Sequence, residues 1–144
     1  MSARTRASRS VAAGLRRWAS GHGPQVQAAV GLLIGHEVWL RRVEFQAVCL
    51  HRDPDGCYWI DWTAARAAFD AGVFTRANVS ERAVLDLAIA LATDRYRLAV
   101  MSTGKARLVA DAVAAAAGIP LARRSPHPRL DDTPAPAGAT ETTR

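Results

Sequence analysis

The sequence predicts a mainly α domain, a compact bundle of about five short helices with one small β element. Three observations carry that reading. Apolar residues recur at helical spacing in several separate stretches. Those stretches begin and end at residues suited to helix termini. One stretch alone joins a turn motif to β-prone residues.

Pro24 opens the first helix of the bundle, because its missing N–H would have no partner in a first turn. Val26, Ala29, Val30 and Leu33 mark the buried face, and Gly35 is the expected stop. A second helix is expected from about Trp39 to Leu50, on a weaker stripe of Phe45, Val48 and Cys49. Asp53-Pro54-Asp55-Gly56 reads as a turn, since proline presets φ at its second position and glycine tolerates the exit. Cys57-Tyr58-Trp59-Ile60 then has strand-like residues, and pairing with Val48 to Arg52 would make a hairpin near 48–60. Residues 45–52 therefore carry two readings, helix and strand.

Asp61 or Thr63 caps a third helix, Ala64 to Ala71, stopped by Gly72. Asn78 and Glu81 have the spacing of a capping box. The helix behind them has the strongest stripe, Val84, Leu87, Ala88 and Leu91, widened by Leu85 and Ile89. Tyr96 to Met101 is short and apolar, which fits a buried strand or a helical turn. Ser102 or Thr103 caps a last helix with Leu108, Val109, Ala112, Val113 and Ala116 on its buried side, and Gly118 and Pro120 end it.

The chain thus divides into a flexible basic arm at 1–23, a helical domain at 24–119 and a disordered tail at 120–144 rich in Pro, Ala and Thr. Prolines at 120, 126, 128, 134 and 136 keep the tail from forming a helix. Within the arm, Val11, Leu15 and Trp18 recur at helical spacing, so part of it can become helical.

Charge follows the same division. Residues 1–23 hold five arginines and no acid, whereas residues 24–119 hold ten basic and ten acidic residues. A basic arm on a neutral domain is one signature of nucleic-acid contact. Arg4, Arg6, Arg9, Arg16 and Arg17 are the candidate phosphate contacts, and Trp18 beside them is a candidate stacking surface for a base. Arginine outnumbers lysine eighteen to one, so composition drift competes with function as the cause. The arm's stripe is too short for a firm membrane-surface helix. No apolar run reaches the roughly 20 residues of a membrane span. The first residues lack a continuous apolar signal region, and a cytoplasmic location is the expectation.

Motifs for chemistry are incomplete. Ser102-Thr103-Gly104-Lys105 opens a helix as a phosphate loop does, but Ala99 and Ala106 stand where that motif needs glycine and a hydroxyl. His36, Cys49, His51 and Cys57 are of zinc-ligand type at no standard spacing, and two cysteines do not make a disulfide scaffold. His36-Glu37 begins a zinc-protease pattern, yet Leu40 occupies its second histidine position. Asp53 and Asp55 belong to the turn. No catalytic set, metal or cofactor is assigned. Trp59 and Trp62, in Trp59-Ile60-Asp61-Trp62, read first as partly buried core residues and, on the competing reading, as the candidate contacts for a protein partner, since tryptophan anchors interfaces. Arg66, Arg76 and Arg82 are balanced by Asp70, Glu81 and Asp86, which argues against a large phosphate footprint on the domain. The expected function is a non-enzymatic binding or regulatory module that contacts a protein partner through its domain, with nucleic-acid contact through the arm set against a solvated arm that has no partner. A small enzyme or enzyme subunit whose site forms no motif is the competing reading.

Overall fold

The computed structural model describes residues 3–120, the side chains at 3–6 and 8 excepted. It is mainly helical, with a small two-stranded antiparallel sheet. The chain divides into two units, 1–106 and 107–144.

Helix α1 spans Ala3–Ala19, inside the segment expected as a flexible arm. Leu15 is fully buried in it and Ala19 nearly so, with Val11 and Trp18 packed against the same core. The helical stripe of the arm thus finds apolar partners. Burial of that face, rather than helix propensity, is what stabilises a helix containing Gly14 and two serines.

Helix α2, Pro24–His36, starts at its expected proline and buries Ala29, Val30 and Leu33. Its stop differs from expectation. Gly35 stays inside the helix, and Glu37 takes the left-handed cap at φ 60°, its N–H donating to the Leu33 carbonyl at 3.1 Å.

Both readings of residues 45–52 hold, in succession. A 3-10 turn at Trp39–Arg41 leads into α3, Val43–Val48, and β1 follows at Leu50–Arg52. β1 pairs with β2, Tyr58–Ile60, in the register Leu50↔Ile60, His51↔Trp59, Arg52↔Tyr58. The Asp53–Gly56 turn closes the hairpin. Gly56 N–H donates to the Asp53 carbonyl at 3.0 Å, and the Asp53 carboxylate accepts from Cys57 N–H at 2.8 Å.

Asp61 caps α4, Trp62–Asp70, accepting from Ala64 N–H at 2.8 Å. Gly72 follows it at φ 77°, a backbone that favours glycine. Helix α5, Val79–Ala92, starts in the expected capping box of Asn78 and Glu81. Its buried residues are Leu85, Ala88, Ile89 and Ala90, while Leu87 is exposed and Val84 and Leu91 are half-buried. The helix is therefore rotated from the predicted stripe, because packing against α2 and α4 selects which apolar residues face inward. Trp39, fully buried, sits with Phe45 and Phe74 in an aromatic cluster with ring centroids 5.3 to 6.3 Å apart. Its indole N–H donates to the Glu81 carbonyl at 2.9 Å.

The segment Tyr96–Met101 holds a 3-10 turn at Leu98–Val100 and no buried strand; Tyr96 and Val100 are exposed. Helix α6, Thr103–Ala116, buries none of its residues. Leu108, Val109 and Val113, expected on a buried side, are exposed. Periodicity specifies that such a stripe exists, not that anything covers it. The expected tail from residue 121 onward lies outside the described residues. Among the described residues, no helix is long and apolar enough to cross a membrane.

Candidate functional site

The rotation of α1 follows from its buried face. With Val11, Leu15, Trp18 and Ala19 turned to the core, Arg9, Arg16 and Arg17 stand exposed. Arg9 and Arg16 are seven residues apart, so two helical turns, about 10 Å, separate their backbones on one face. Both line a cleft of about 460 Å³ between α1 and the end of α2. Ala12, Ile34 and Leu40 form its apolar part, and Glu37 and Arg41 complete its rim. Arg41 donates to the Glu37 carboxylate at 2.8 Å. Arg17 and Trp18 line a second cleft, of about 290 Å³, with Asp55, Gly56 and Cys57 of the hairpin.

Arg4 and Arg6 lie in the first turns of α1, and their side chains are outside the description. Trp18 is half-buried against the core, and its ring meets His22 at a centroid distance of 4.4 Å. Only part of the indole is therefore available to a base. Trp59 is half-buried and stacked on His51 at 4.5 Å. Trp62, the first residue of α4, is half-buried, and its indole N–H is enclosed without a hydrogen-bond partner.

Arg41 is the residue that sequence reasoning missed. It lies in the stretch whose charges balance, so its position beside Arg9 and Arg16 had no signal in the sequence. Two other arginines of that stretch are held by carboxylates outside the cleft. Arg66 donates to Asp86 at 2.6 Å and to Asp70 at 2.7 Å, and these bonds raise its pKa above the ordinary value. Arg42 pairs with Glu81 and lies over the Trp39 ring at 5.3 Å. Charge balance in 24–119 is thus partly a matter of direct ion pairs.

Among the described residues no group of three or more His, Cys, Asp or Glu side chains is arranged to hold a metal ion, and His36, Cys49, His51 and Cys57, of zinc-ligand type but at no standard spacing, form no such group. Cys49 is fully buried after α3, and burial, with the Asp61 charge adding to it, pushes its thiol up to about 12. Cys57, expected to pack in the strand, is exposed before it. Lys105 and the residues before it sit exposed at the start of α6, with the Ser102 carbonyl accepting from Ala106 N–H at 2.9 Å.

The chain matches no family model, no curated protein and no solved structure.

Proposed function

We propose that this protein is a non-enzymatic binding module that holds nucleic-acid phosphates on the arginine face of α1. One observation carries the reading. Burial of Leu15 fixes the rotation of a helix that contains five arginines and no acid, and Arg9, Arg16 and Arg17 are left exposed. Guanidinium groups on a folded helix bind phosphate with less ordering cost than the same groups on a disordered arm. Such contacts release counterions and are sequence-independent, so affinity falls with salt.

The test is fluorescence anisotropy with single- and double-stranded oligonucleotides at low and physiological salt. The wild type is compared with a triple variant, Arg9→Gln, Arg16→Gln and Arg17→Gln, which keeps helix formers in place. Binding is expected to weaken more than about tenfold, and the single-strand salt slope to fall by about 0.7 per lost contact. Unchanged affinity in the triple variant, or no binding by the wild type at low salt, overturns the proposal.

A further inference from the structure

We infer that the cleft between α1 and the end of α2 is a nucleotide site, with the Glu37–Arg41 pair as its built-in competitor. The inference rests on the phosphate-binding reading above and makes it specific. It rests on three features.

The first is charge. Arg9, Arg16 and Arg41 line one cleft from two separate elements, and among the described lining residues Glu37 supplies the carboxylate. Such a set attracts an anion, and planar guanidinium forks suit phosphate. The second is shape. About 460 Å³ is the size of a small-ligand pocket. Its apolar part, Ala12, Ile34 and the exposed edge of Leu40, gives the apolar face of a base a surface to cover, while the rim holds the phosphate. A bare inorganic anion would leave that part unused.

The third feature is backbone strain. Glu37 sits at φ 60°, where a side chain is disfavoured and glycine is the common choice. Gly35, two residues earlier, lies within the helix, where its freedom is not needed. Strained residues cluster at functional sites. Here the strained residue holds its carboxylate on Arg41 at the cleft rim, at 2.8 Å. Both side chains remain more than half exposed, 53% for Arg41 and 64% for Glu37, so the pair opens readily when a phosphate competes for the guanidinium.

Titration calorimetry on the full chain tests this with four probes: adenosine 5′-monophosphate, inorganic phosphate, a single-stranded DNA of about 12 nucleotides, and a polyglutamate peptide. The variants are Arg41→Ala, Glu37→Gln and, in the other cleft, Arg17→Ala, each checked by thermal melting. Arg41→Ala is expected to weaken the nucleotide and the DNA about tenfold. Glu37→Gln is expected to tighten both about two- to fivefold, the worth of an exposed pair. Arg17→Ala should weaken the DNA and leave the nucleotide unchanged.

Suppose DNA binds and responds to Arg17→Ala but not to Arg41→Ala or Glu37→Gln. Then the cleft inference is overturned while the α1 reading stands. If the nucleotide binds and responds but DNA does not bind, the cleft holds as a site for free nucleotides and the nucleic-acid reading fails. Inorganic phosphate or polyglutamate binding as tightly as the nucleotide overturns the nucleotide assignment.

Discussion

At the scale of single residues, two positions show what close packing decides. Gly14 lies where α1 passes β2, and a Cβ there would come within 2.7 Å of the Tyr58 ring. Helix propensity alone favours alanine at a mid-helix glycine by about 1 kcal/mol. The contact reverses the sign, because the ring atom is not the end of a flexible chain. Gly14→Ala is expected to destabilise by about 1–3 kcal/mol in urea denaturation. A gain in stability would mean that Tyr58 moves aside at little cost. Cys49 is the second case. Its thiol has a pKa of about 12 in the fold against 9.0 as the ordinary value. An acid whose folded pKa is raised keeps its full stability below the unfolded value. Stability then falls as pH climbs from 9 toward 12, since the unfolded state releases the proton first. The Cys49→Ala variant should show a flatter stability curve over that window. At pH 8 the native protein should react with Ellman's reagent at exposed Cys57 only, and at both thiols after denaturation.

At the scale of elements, helix ends organise the core beside the cleft. Glu81 serves three neighbours at the start of α5. Its carboxylate accepts from Asn78 N–H at 3.1 Å and pairs with Arg42, while its carbonyl accepts from the buried Trp39 indole. The capping box was legible because its donors and acceptors are local, three residues apart. The Arg42 and Trp39 contacts span 39 and 42 residues of sequence and were not. Asn78→Ala should cost about 1 kcal/mol, an ordinary cap loss. Glu81→Ala should cost more, because Arg42 then loses its ion pair as well. Comparable losses for the two, measured by thermal denaturation, would show that the Arg42 pair adds nothing. Asp61 at the start of α4 is a cap of the simpler kind, and Asp61→Ala should resemble Asn78→Ala.

At the scale of the whole molecule, α1 is a core element that also carries the proposed binding face. A chain starting at Pro24 loses Leu15 and Ala19 from the core and uncovers Tyr58 and Ile60 around them. Leu15 alone, fully buried, is worth about 2–5 kcal/mol on truncation to alanine. The shortened chain is therefore expected to melt about 10 °C lower or more. Loss of binding in that chain would not isolate the arginines, which is why charge substitutions on an intact α1 are the decisive variants. An unchanged melting temperature would mean that α1 contributes little to the core.

The sequence by itself determined several of the element ends. Pro24, Asp61, the Asn78–Glu81 box and the Asp53–Gly56 turn act through bonds to near neighbours, so their outcome does not depend on the rest of the chain. The run of arginines without an acid is likewise a local fact. Tertiary structure alone decided what those elements face. Val11, Leu15 and Trp18 make a helical stripe in any context, but only a partner surface buries it and thereby points Arg9, Arg16 and Arg17 outward. Leu108, Val109 and Val113 make a comparable stripe in α6 and remain exposed. Arg41 lines the cleft from the turn that follows the left-handed Glu37, past the Gly35 stop that local preference favours. The physical reason is common to these cases. Hydrogen bonds at turns and caps are settled within a few residues, whereas burial and charge convergence depend on segments far apart in the chain.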